Sequence, residues 1–151
     1  MAEPIMVACD LHDKTMLLKI AQGRQAPETL SLPNTRAGRN KLVALLRKRS
    51  RSARGAAVVF AYEASGQGFG LYDELTAAGI SCHVLAPTKI ARSVQQGRQK
   101  TDEKDALAIL ESLRGHLLAG NRLPSVWIPD AQTRDDRELV RLRLRRKYRY
   151  L

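Results

Sequence analysis

Two apolar runs, far apart in the chain, each end on a single acid. IMVACDL (5–11) carries Asp10 near its end, and AAVVFAY (56–62) is followed at once by Glu63. Short continuous apolar runs of this kind are the pattern of strands buried inside a sheet. A carboxylate is costly there unless something binds it. If the two strands lie side by side and parallel, both acids emerge at the same edge of the sheet.

The segments between them suggest an α/β domain. After Asp10 a polar turn, His12 to Lys14, leads into a second strand over 15–20. Gly23 marks another turn, and 28–32 supply a third strand before Pro33. Three strands on short turns read as an antiparallel meander. Asn34 or Thr35 can cap a helix with Leu42, Leu45 and Leu46 at helical spacing, ending near Ser50. The run 56–62 is then the fourth strand. A helix with Leu71, Tyr72, Leu75 and Ala78 follows, stopped by Gly79, and 80–86 form the fifth strand, closed by Pro87. Thr101 is placed to cap a helix reaching about Leu118, with the stripe Ala106, Ile109, Leu110, Leu113 and Leu117. Val126 to Ile128 is a short apolar piece, and a highly charged helix begins at Ala131. The expected fold is a mixed five-stranded sheet flanked by helices, antiparallel at one edge and parallel in the remainder.

Asp102 and Asp105 lie three residues apart on the helix after Thr101 and share a side. Asp102 stands one turn before Ala106 and Asp105 one turn before Ile109, so at least one of them points at the sheet. Singly, each acid has an ordinary explanation. Acids are favoured in a first helical turn, Asp10 can cap a turn, and Glu63 can pair with a lysine. Glu103 falls off the stripe and is left outside the cluster. His12 reads as a turn residue rather than a site residue. Convergence is harder to dismiss, since two carboxylates about 4 Å apart repel by about 4 kcal/mol at an effective dielectric near 20. A cluster of Asp10, Glu63, Asp102 and Asp105 calls for a counter-ion, and oxygen ligands favour Mg²⁺ or Mn²⁺ over zinc. Two such ions would suit phosphodiester chemistry.

The charge names a partner class. Lys and Arg total 26 against 15 acids, a net +11, the footprint of a polyanion such as nucleic acid. Residues 133–151 hold eight basic and three acidic residues, and the body keeps a net +6 of its own. Lys89, Arg92, Arg98 and Lys100 immediately precede the acidic helix and are expected to hold a phosphate backbone beside it. Aromatic residues make up only 5 %, which disfavours stacking on single-stranded bases as the main mode. No apolar run approaches the roughly 18 residues of a membrane span, and no secretory start is visible. Cys9 and Cys82 sit in apolar runs without metal-ligand spacing, so they read as reduced thiols in a cytoplasmic protein.

At this point four pieces carry a resemblance: VACDLH (7–12), YEASG (62–66), HVLAP (83–87) and KTDEKDA (100–106). In this order and separation the chain resembles the DEDD transposases of bacterial insertion sequences, the family numbered one hundred and ten, which includes the Piv/MooV DNA invertases. The resemblance implies an RNase H-like (RuvC-like) nuclease domain over 4–129, with Asp10, Glu63, Asp102 and Asp105 as catalytic metal ligands. It also implies Mg²⁺-dependent cutting and rejoining of DNA. A structured guide RNA in some members and a homo-oligomer of the full-length protein are further implications.

Residues 131–151 read as the truncated beginning of a helical linker. The serine nucleophile of the family's second domain has no counterpart here, since Ser65 and Ser93 do not match its motif. Strand exchange is therefore expected of a full-length protein and not of this chain alone. Actin-like ATPases also end a first strand in Asp, but Leu11, His12 and Asp13 replace their glycine-rich phosphate loop. A Holliday-junction resolvase-like nuclease and a non-catalytic nucleic-acid-binding scaffold are the remaining alternatives.

Overall fold

The computed structural model describes residues 2–87 and 102–149. A five-stranded sheet forms its centre, in the order β3-β2-β1-β4-β5. β1 (Ile5–Leu11), β2 (Thr15–Gln22) and β3 (Glu28–Pro33) make the expected antiparallel meander. β4 (Val58–Glu63) pairs with β1 in parallel, and β5 (Ser81–Leu85) pairs with β4 in parallel.

Side chains alternate across a strand, and β1 divides its residues between two cores. Ile5, Val7 and Cys9 pack with Leu42 and Leu46 of α1 (Arg36–Ser52) and with Leu71 and Leu75 of α2 (Gly70–Ala77). Met6 and Ala8 pack on the other face with Val59, Ala61, Leu85 and with Ile109, Leu110 and Leu113 of α3 (Asp102–Ala119). The central strands are covered on both sides, so their sequences are continuously apolar. The predicted α3 stripe is confirmed as its buried side.

Local chemistry sets the helix ends. Thr35 Oγ1 accepts from the Gly38 amide at 3.0 Å, the N-cap of α1. Gly38 is buried, and a Cβ on it would stand 1.9 Å from the Pro33 carbonyl oxygen. The entry of α1 against β3 therefore requires glycine. Gly79, at φ 80°, ends the α2 region as expected.

Three strand ends fall short of the sequence reading, while β2 runs on to Gln22 and α1 to Ser52. β4 starts at Val58, because the preceding turn holds Arg54 and Gly55 at positive φ and the ladder begins only where Val58 meets Ile5. β5 loses Ile80, whose amide donates to Leu75 O and closes the helix instead. It also loses Ala86, whose amide donates to Pro124 O. That last bond belongs to an antiparallel bridge, Leu85 with Ser125, that lays 124–126 along the outer edge of β5. Covering the edge in this way satisfies backbone groups that would otherwise invite pairing with another chain.

α4 (Ala131–Arg149) is the expected charged helix. Asp130 caps it, accepting from the Thr133 amide at 2.7 Å. It buries none of its residues. Among the described residues, no helix is long and apolar enough to cross a membrane. Cys9 and Cys82 are free, and burial pushes both thiols up, Cys82 to about 12.

Candidate metal centre

The parallel register of β1 and β4 aligns Cys9 with Tyr62. One step further along stand Asp10 and Glu63, at the carboxyl ends of neighbouring strands. Alternation assigns both to the face that α3 covers: Asp10 follows Met6 and Ala8, and Glu63 follows Val59 and Ala61. Glu63 also lies opposite Leu85 of β5, a member of the same core. The sheet thus brings two acids from distant sequence to one face at one edge.

α3 brings the other two. Asp105 is only 8 % exposed although charged, and it sits beside the buried Ala106. Asp102, one turn earlier, is exposed at the helix start. Glu103 points elsewhere, with a carboxylate oxygen 3.9 Å from Lys19 Nζ of β2. The expectation that one helix carboxylate faces inward is met by Asp105.

The residue the sequence reading set aside is His12. Its Nε2 lies 2.7 Å from Asp10 Oδ2 and 3.1 Å from Asp102 Oδ1. The turn holding it is fixed from two sides: the His12 amide donates to Thr15 O at 2.9 Å, and Asn34 Nδ2 donates to His12 O at 2.8 Å. A signal was present, because residue 12, just past the end of β1, continues the alternation that places Ala8 and Asp10 on one face. What sequence could not supply was the arrival of Asp102 from 90 residues away.

The electrostatics follow from this crowding. Burial raises the Asp10 carboxyl above its ordinary range; His12 opposes that shift and Asp102 adds to it. The hydrogen bond to Asp10 raises the His12 imidazole, against the effect of its own burial. An imidazolium there stands between two carboxylates, where a cation is wanted. Asp10, His12 and Asp102 each offer a ligand atom, all within 4.8 Å of one another. Two carboxylates and an imidazole, brought together from two distant parts of the chain, fit a divalent cation, with Mn²⁺ tolerating the nitrogen better than Mg²⁺. Glu63 and Asp105 lie outside this trio while sharing its face.

An open groove of about 520 Å³ runs past His12. The β1–β2 turn, with Asp13 and Lys14, forms one wall, and Ser65, Gly66 and Gln67 form the other. Gln67 Nε2 donates to Asp13 Oδ1 across it, and Tyr62 donates to Gly68 O at 3.2 Å, which ties the second wall to β4. Lys89, Arg92, Arg98 and Lys100 lie outside the described residues.

Comparison with known proteins agrees with this architecture. Residues 7–149 match the DEDD transposase family of the IS110 type, described as Transposase. A Sinorhizobium fredii protein with a provisional transposase name, y4qE, is 38 % identical over 86 residues, which is 57 % of this chain and 20 % of that protein. The chain thus spans about a fifth of that relative's length. The structure of Thermus thermophilus RuvC superposes with a TM-score of 0.51 at 12 % identity, covering 81 % of this chain and 99 % of that one. The same protein in complex with a Holliday junction substrate gives 0.48 at 12 % identity, covering 80 % and 99 %. The fold is RuvC-like, of the RNase H-like kind, and the chain belongs to the DEDD transposase family.

Proposed function

We propose that this chain is the metal-dependent nuclease unit of a DNA transposase. The observation that carries the reading is the meeting of Asp10 from β1 and Asp102 from α3 on one nitrogen of His12. Asp10 and Asp102 would hold a Mg²⁺ or Mn²⁺ ion, with Glu63 and Asp105 completing the acidic face. When bound, the ion supplies Lewis-acid stabilisation to a phosphodiester undergoing displacement.

The remaining work falls to the chain's own groups. The groove beside His12 is open enough to receive a phosphate backbone, and Lys14 on its wall offers a cation for it. His12 Nε2 would carry a proton between the carboxylates and shed it on joining them as a ligand of the ion. The packing of Ile109 and Leu110 on the sheet holds α3 in place, so that Asp102 stays at the strand end. Lys89, Arg92, Arg98 and Lys100 would add phosphate contacts beside α3.

For the whole protein the reading extends to strand transfer, a homo-oligomer and a guide RNA, all resting on the family resemblance alone. The test is cleavage of linear and branched DNA in Mg²⁺ and in Mn²⁺, with Asp102→Asn alongside. Metal-dependent strand breaks that vanish in the variant support the reading. Breaks that persist in Asp102→Asn, or none in the unaltered chain, oppose it.

A further inference from the structure

We propose that the outward face of α1 docks a second DNA duplex, through its phosphates, on the side of the sheet away from the acidic cluster. The proposal rests on the nucleic-acid reading above and extends it to a second site.

α1 carries seven basic residues and no acid. Two of the seven are ion-paired: Arg39 donates to Glu74 at 2.8 Å and Arg49 to Glu28 at 2.7 Å. Arg36, Lys41, Lys48 and Arg51 are exposed, and none forms an ion pair among the described residues. Arg47, also exposed, uses one nitrogen on Ala78 O. This pattern is poor for helix stability. Arg36 places a cation at the positive end of the helix dipole, where no acid offsets it, and Lys48 and Arg51 repel across one turn. A polyanion laid along the face would relieve both.

The occupant follows from geometry and composition. Arg36 and Arg51 stand 15 positions apart, about 22 Å along the axis, which matches roughly six steps of a nucleic-acid strand at 3.4 Å each. Between α1 and α2 runs a groove of about 600 Å³, lined by Arg36, Asn40 and Arg47 at helical spacing. α1 holds no aromatic side chain, so it offers phosphate contacts without base stacking, as suits a duplex. A membrane surface is a poorer match, because the apolar side of α1, Leu42 and Leu46, is buried in the core. Leu42 and Leu46 pack on the sheet face opposite α3. A duplex on α1 is therefore separate from one at the acidic cluster, and DNA is the polyanion that a transposase domain handles.

The test is fluorescence anisotropy of a labelled random-sequence DNA duplex with the 151-residue chain, in EDTA, across a range of salt. Without divalent ions the acidic face repels phosphate, and comparison with the α1 variants separates the α1 contribution from that of the other basic segments. The comparison variant replaces Arg36, Lys41, Lys48 and Arg51 with Gln, a good helix former. A second variant with Lys48→Gln and Arg51→Gln alone guards against misfolding, and thermal unfolding checks both.

Four phosphate contacts predict a salt slope steeper by about 3 to 4 in the unaltered chain, equivalent to roughly a hundredfold in affinity between 50 and 200 mM salt. The quadruple variant is expected to lose at least tenfold in affinity together with that slope, and the double variant about half the slope. Unchanged binding and slope in folded variants would overturn the proposal, as would an α1-dependent preference of tenfold or more for an RNA duplex of the same sequence. Metal binding at Asp10 and Asp102 is measured independently, so failure of the nuclease reading and failure of this one remain distinct.

Discussion

His12 links Asp10 of β1 to Asp102 of α3, with one imidazole nitrogen 2.7 Å from the first carboxylate and 3.1 Å from the second. Burial already raises the Asp10 carboxyl, and the second acid adds to the shift. A group held in this way serves the site at the expense of the metal-free fold. Asp10→Asn should therefore leave the metal-free protein at least as resistant to heat as the parent. The parent should gain stability with Mg²⁺, about 2.7 kcal/mol at a hundred times the dissociation constant, or on the order of 5–10 °C for a domain of this size. The variant should gain none. Thermal unfolding with and without Mg²⁺ checks both halves, and an equal gain in the variant would count against Asp10 as a ligand.

Gly38 makes a prediction about the fold alone. Replacing glycine by alanine inside a helix usually stabilises by up to about 1 kcal/mol. Here the new Cβ meets the Pro33 carbonyl at 1.9 Å, so Gly38→Ala should instead destabilise by about 1–3 kcal/mol, as overpacking does. A urea midpoint that rose would show that α1 can move away from β3 freely.

His83 of β5 gives a pH dependence remote from the acidic cluster. Its pKa is lowered, first by burial and then by His116, whose ring centroid lies 6.1 Å away. The unfolded chain takes up a proton near the ordinary value of about 6.5, while the folded chain resists it until lower pH. The stability concerned is complete above 6.5 and is lost as pH falls through the folded value. Urea midpoints from neutral pH to about pH 5 should fall less in His83→Asn than in the parent. Parallel curves would remove His83 as the cause.

α4 has no buried residue, and its base is held by Arg134. The guanidinium reaches both oxygens of Asp73 on α2, at 2.7 and 3.0 Å, and lies 5.5 Å from the centre of the Phe69 ring. Asp73→Asn should speed amide exchange and tryptic cleavage across 131–149 and leave the unfolding of the sheet unchanged. Equal exchange in both proteins would mean that the Asp130 cap suffices.

Much of this was legible in the chain because the central strands combine two strong signals. The runs ending in Asp10 and Glu63 could only be buried strands carrying an expensive charge, and the stripe around Ala106 and Ile109 could only face a core. The β1–β4 pairing then followed from topology. His12 was not legible as a partner of Asp102, because strand periodicity shows which face a residue takes and not which distant helix will meet it. The bridge from Ser125 to Leu85 escaped for a similar reason, since so short a run carries no period. Arg134 looked like one charge among many in a basic tail, and only its position against Asp73 sets it apart. Lys89, Arg92, Arg98 and Lys100 remain a proposal from sequence.

The most direct measurement is calorimetric titration of Mg²⁺, and separately of Mn²⁺, into this chain and into an Asp10→Asn, Asp102→Asn double variant. A metal-dependent nuclease site predicts saturable binding by the parent, somewhat tighter for Mn²⁺ because of His12, and none by a variant that is still folded. Equal binding by both proteins, or no binding by the parent, would contradict the assignment of the Asp10–Asp102 cluster as the metal centre.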